Sequence, residues 1–124
     1  MSFYSILCVG TGGFIGAILR VFMIGFINRI LPHALPFGTI CVNIFGGFLI
    51  GFILSLPFAL NSHFRSFLIA GVLGGFTTFS TFTFENFLLF EGGSFVLATL
   101  NIILSVFLAL LFCYFGVLCA RCLV

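Results

Sequence analysis

The residues best suited to chemistry lie in one run, Gly71-Val-Leu-Gly-Gly-Phe-Thr-Thr-Phe-Ser-Thr-Phe-Thr-Phe-Glu85, in the middle of an apolar segment. Five hydroxyls (Thr77, Thr78, Ser80, Thr81 and Thr83) fall within seven residues. Each carries one donor and two acceptor lone pairs, so the run can serve an anion or a cation. Gly74-Gly75 costs about 2 kcal/mol of helix stability relative to two alanines, and the β-branched threonines add to that. The composition predicts a break in the winding at residues 74–78. Carbonyls released by such a break can coordinate a small cation. A continuous helix, with the hydroxyls bonded back to their own i−4 carbonyls, is the competing reading.

Phe76, Phe79 and Phe82 recur every three residues and are expected on one helical face. Such a stripe serves packing, but here it alternates with hydroxyls. The edge of a phenyl ring is partially positive, so an edge-on Phe can attract an anion without a formal cation. Asn43 stands in a second run, Gly38-Thr-Ile-Cys-Val-Asn-Ile-Phe-Gly-Gly-Phe48. A lone amide in hydrocarbon costs several kcal/mol, so it must meet another polar group or water. Interhelical glue and pore lining, with the amide NH2 as donor to an anion, both satisfy that need. Arg20 and Glu85 are ionisable groups inside apolar segments, which makes them functional candidates, although Arg20 is long enough to snorkel. Asn101 and Ser105 add polarity to the last apolar segment.

The elements that must hold these residues follow from composition. Of 124 residues, 63% are hydrophobic and 5% charged, against about a quarter charged in a soluble domain. A spanning helix needs roughly 20 apolar residues, and four such segments use nearly the whole chain. Strict alternation is absent, which disfavours a barrel. A single transmembrane domain over residues 1–124 is expected, with helices at about 3–30, 37–60, 66–90 and 94–120. Pro32, His33 and Pro36 punctuate the first turn, Asn61, Ser62, His63 and Arg65 form the second, and Glu91-Gly92-Gly93 the third. The first segment, with no Lys or Arg ahead of it and no A-x-A-like site, reads as an uncleaved anchor.

Short loops make neighbouring helices antiparallel. One side of the membrane then holds Arg65 and Arg121, the other Arg29 with Arg20 deeper in its helix. So little asymmetry predicts weakly determined orientation, with copies inserting both ways. Gly12/Gly16, Gly13/Ala17, Gly47/Gly51 and Gly71/Gly75 are small-xxx-small pairs that let backbones approach closely, and self-association is expected. Cys119 and Cys122 make a C-x-x-C pair at a helix end, outside any redox context, and the five cysteines imply no disulfides. H-E-x-x-H, P-loop and G-x-S-x-G motifs and carboxylate pairs are missing, so no enzyme activity is expected.

Three runs carry a family resemblance: Gly12-Gly-Phe-Ile-Gly-Ala-Ile-Leu-Arg20, Gly38-Thr-Ile-Cys-Val-Asn-Ile-Phe-Gly46 and Gly74-Gly-Phe-Thr-Thr-Phe-Ser-Thr-Phe-Thr-Phe-Glu85. In order and in helix number they resemble the CrcB/Fluc family of fluoride channels, over essentially the full chain. The resemblance implies an all-α membrane protein of four transmembrane helices with a break in helix three, assembled as a dual-topology antiparallel homodimer. It implies passive, fluoride-selective export from the cytoplasm through the cell (inner) membrane, relieving fluoride toxicity. It also implies a central structural sodium ion (Na+) held by the main-chain carbonyls of Gly74 and Thr77. The fluoride pathway would then comprise Asn43, Phe79, Phe82, Ser80, Thr81 and Glu85, with Arg20 near the vestibule and Ser105 as the helix-four candidate. The terminal Cys119-Ala-Arg-Cys122 has no place in the family pattern.

Partners implied are fluoride, the lipid bilayer and a second copy of the chain, with no nucleic acid. A small four-helix multidrug exporter is the nearest rival, but it needs a carboxylate in helix one, where only Arg20 is found. An accessory membrane subunit would explain the glycines and leave the hydroxyl-aromatic run idle.

Overall fold

The computed structural model describes residues 1–58 and 60–123. Helix α1 is Phe3–Ile30, with Ser2 as N-cap accepting from the Ser5 N–H at 3.2 Å. It stops where Leu31 turns extended, as a residue preceding proline must. Helix α2 is Phe37–Leu54, six residues shorter than the expected end at residue 60. The cause is Pro57, which lacks an N–H and whose ring would meet the Ile53 carbonyl in a continuing helix. Instead the N–H groups of Ser55 and Leu56 close on the Phe52 and Ile53 carbonyls at 3.2 and 3.4 Å. Eighteen residues still rise about 27 Å, close to the thickness of a hydrocarbon core.

The third span is built in pieces: α3 (Ser62–Arg65), a π-helix π1 (Ser66–Leu73), α4 (Gly74–Phe76) and α5 (Phe79–Glu91). It starts four residues before the expected boundary, because Asn61 caps it by accepting the His63 N–H at 2.9 Å. The polar run 61–65 is thus a cap and first turn rather than a loop. Between α4 and α5, Thr77 (φ −80°, ψ 156°) and Thr78 (φ −147°, ψ 121°) are extended. Span three ends in a Schellman motif. The Gly93 N–H reaches the Phe90 carbonyl at 3.0 Å and the Ser94 N–H the Leu89 carbonyl at 2.8 Å, with Gly93 at φ 78°. Helix α6 then runs Phe95–Cys122.

Spans of 28, 18, 30 and 28 residues are each long and apolar enough to cross a membrane. They pack as two pairs, α1 on π1 and α4, and α2 on α6, with α1 also touching α2. Backbone contact makes this possible. A Cβ on Gly16 would collide with the Val72 carbonyl oxygen and come within 2.9 Å of the Phe76 nitrogen. Few apolar side chains are buried (Val42, Leu73, Phe76 and Ala98 among them), while Phe14, Phe22, Phe84 and Phe107 point outward. Lipid tails are as apolar as these rings, so close packing and interhelical hydrogen bonds hold such spans together.

Candidate functional site

The extended pair Thr77-Thr78 faces α2, and Asn43 answers it. The Thr78 N–H donates to Asn43 Oδ1 at 2.8 Å, and Asn43 Nδ2 donates to the Thr78 carbonyl at 3.0 Å. One side-chain amide thus replaces the peptide partner that a strand would supply, satisfying both backbone groups of a non-helical residue. Gly46, one turn along α2, leaves the space that the Thr77 methyl occupies. Asn43 is therefore interhelical glue to a main chain, and its second amide hydrogen stays available.

The carbonyls of Gly74, Gly75, Phe76 and Thr77 are released where α4 gives way to α5. The Thr78 N–H that would have closed on Gly74 goes to Asn43 instead. The Thr81 N–H that would have closed on Thr77 goes to Thr78 Oγ1 at 3.2 Å, the N-cap bond of α5. Among the described residues no backbone N–H reaches the carbonyl of Gly74 or Thr77. The hydroxyls divide between the two readings. Thr77 and Thr83 bond back to the Leu73 and Phe79 carbonyls at 3.0 and 2.9 Å. Thr78 Oγ1 instead meets Thr81 Oγ1 at 3.1 Å and Ser80 Oγ at 3.4 Å.

Beside this junction lies an open cavity of about 390 Å³, lined by Asn43, Gly46, Gly47, Gly74, Thr77, Thr78, Phe79, Phe82 and Ser105 with several aliphatic side chains. Phe79 is 77% exposed and Phe82 is 9% exposed, with ring centroids 5.5 Å apart and tilted by 43°. Phe76 does not share their face. The extended link resets the helical phase, and Phe76 is buried edge-on against Phe45 at 6.1 Å.

Ser80 and Thr81 sit exposed on the first turn of α5, in the hydroxyl cluster but outside the cavity lining. Farther along α5, Glu85 Oε1 accepts from Thr39 Oγ1 at 2.7 Å, and the buried Oε2 has no partner among the described residues. Arg20, half-buried on α1, does not line the cavity. Sequence reasoning missed Thr39, which is 1% exposed, and Asn86, which is 5% exposed. Their only signal was a polar side chain in an apolar segment, which identifies no partner. Among the described residues no cluster of three His, Cys, Asp or Glu side chains could hold a metal, and all five cysteines are free.

Residues 7–117 match the family described as CrcB-like protein, Camphor Resistance (CrcB). The chain belongs to the CrcB family. Its relatives include the "Fluoride-specific ion channel FluC" of Campylobacter fetus subsp. fetus (strain 82-40), 52% identical over 94% of this chain and 93% of the relative. A protein of the same name from Campylobacter hominis is 48% identical over 96% and 97% of the two chains, and one from Elusimicrobium minutum is 47% identical over 90% and 86%. Membership together with four apolar helices makes this CrcB chain a multi-pass membrane protein. Its relatives are named as channels, not enzymes.

Proposed function

We propose that this CrcB protein is a passive, fluoride-selective channel that lets fluoride leave the cytoplasm across the inner membrane. The observation that carries the reading is the two-point bond between Asn43 and the extended Thr78 peptide beside the Phe79/Phe82 cavity. Irregular backbone at membrane depth is tolerated only within protein or against water, so the third span has a wet or protein-covered side where it breaks. Fluoride is small and holds its water strongly, and several donors must replace that water together. The free hydrogen of the Asn43 amide, the exposed hydroxyls of Ser80 and Thr81, and the ring edges of Phe79 and Phe82 supply partial positive charge. None is a fixed cation, so binding stays weak enough for exit. Glu85 on α5 and Thr39 on α2 continue the polar line, and Arg20 draws anions toward the pathway from α1.

The active unit is an antiparallel homodimer. The cavity is open, and lipid cannot satisfy the carbonyls of Gly74 and Thr77 or the polar atoms around them. A second, inverted copy covers this face, and the balanced arginines permit that copy to insert. The released carbonyls of Gly74 and Thr77 fit a cation that prefers oxygen ligands, and two copies would bring four such carbonyls together. Sodium bound there would supply the positive charge that lets these carbonyl dipoles face one another.

The test is purified protein in liposomes loaded with fluoride or with chloride. Rapid fluoride efflux without a proton gradient, with chloride retained, is expected. Proton-coupled release of a lipophilic cation in place of fluoride efflux would overturn the reading.

A further inference from the structure

A chain of buried amides runs from Ser105, at the cavity wall, back into the contact between α5 and α6. Ser105 Oγ donates to Asn101 Oδ1 at 3.2 Å, Asn101 Nδ2 donates to Asn86 Oδ1 at 2.9 Å, and Asn86 Nδ2 donates to the Phe82 carbonyl at 2.8 Å. Asn101 is fully buried, Asn86 is 5% exposed and Ser105 is 6% exposed. The direction of the chain is fixed at its far end. A carbonyl can only accept, so Asn86 must turn its NH2 toward Phe82 and its oxygen toward Asn101. Asn101 must then present NH2 to Asn86 and its oxygen to Ser105. The one hydroxyl proton of Ser105 is thereby drawn out of the cavity, and the lone pairs are left facing into it.

Lone pairs repel an anion. We infer that Asn101 and Asn86 are specificity-determining positioning residues: they hold the Ser105 proton on an amide oxygen, so that only an anion that accepts hydrogen bonds better than this oxygen can draw it into the cavity. Fluoride is the strongest hydrogen-bond acceptor among the halides and wins that competition; chloride, larger and more weakly accepting, does not. Asn101 and Asn86 touch no ion and act through Ser105. This inference rests on the fluoride-channel reading and adds to it a residue pair and a reason for rejecting the larger halide.

The experiment compares chloride and fluoride efflux from proteoliposomes for the wild type, Asn101→Leu, Ser105→Ala and the double variant. Asn101→Leu removes the amide acceptor, frees the Ser105 proton for an anion in the cavity, and should raise chloride efflux relative to fluoride. The expected change is about three- to tenfold, the span that one ordinary hydrogen bond covers. In the Ser105→Ala background the same substitution should leave the ratio unmoved. Asn86→Leu is the second variant, for the case in which Asn101→Leu does not elute as a folded species. It unlocks the Asn101 amide, which can then turn its NH2 to Ser105, and the same rise in chloride is expected. An equal effect of either substitution with and without the Ser105 hydroxyl would overturn the inference, as would an unchanged ratio. A wild type that conducts no fluoride would instead overturn the channel reading beneath it.

Discussion

At the residue scale, Asn43 and Phe82 divide the work between holding the backbone and lining the path. Phe82 is 9% exposed at the cavity wall, in contact with the far more exposed Phe79. Its ring edge offers partial positive charge that an aliphatic side chain lacks. Phe82→Ile keeps an apolar filler of lower volume and loses that edge, so fluoride efflux should fall by at least about tenfold, the weight of roughly 1.4 kcal/mol in a barrier. The elution profile should be unchanged, and wild-type flux in the variant would remove Phe82 from the pathway. Asn43 and Ser105 were legible in the sequence because each is a polar side chain in an apolar segment, and Phe79 and Phe82 because they alternate with hydroxyls. Their partners were not. That Asn43 binds the Thr78 main chain, or that Thr39 meets Glu85, depends on how separate helices rotate against one another, and side-chain type does not record that angle.

At the element scale, the third span is the one built unlike the others. The spacing of apolar residues placed four helices, and α1 has the expected bounds of Phe3–Ile30. The early stop of α2 was written in Pro57, a signal that overall hydrophobicity masks. The π-helix Ser66–Leu73 had no signature, because Ser-Phe-Leu-Ile-Ala-Gly-Val-Leu suits an α-helix equally well. A π turn usually appears as a single bulge, and eight residues of it depend on the neighbour that accepts the wider winding. That neighbour is α1, through Gly12 and Gly16, where any Cβ would strike the carbonyls of Phe67 and Val72. Gly16→Val should therefore destabilise the protein by about 1–3 kcal/mol, the ordinary cost of overpacking. Thermal unfolding in detergent should report it as a lowered midpoint. Gly25 has open space around it, so Gly25→Ala is the matched control with little change, and equal effects at both sites would contradict the close α1–π1 contact.

At the scale of the whole molecule, one chain leaves its cavity open, and four arginines barely distinguish the two faces of the membrane. Three lysines added to the turn at residues 32–36 should force a single orientation by the positive-inside rule. If function needs both orientations, that variant alone should lose fluoride efflux, and co-expression with a variant biased the opposite way, by lysines at residues 61–65, should restore it. Full activity from one fixed orientation would exclude the antiparallel pair. The most direct measurement of the central claim is fluoride release, read by electrode, from liposomes holding either the wild type or Asn43→Asp. Aspartate has no NH2 for the Thr78 carbonyl and brings a negative charge to the cavity wall. The wild type should empty its vesicles of fluoride while retaining chloride, and the variant should be slower by at least about tenfold with an unchanged elution profile. Equal release from both proteins would mean that fluoride does not pass the junction Asn43 holds.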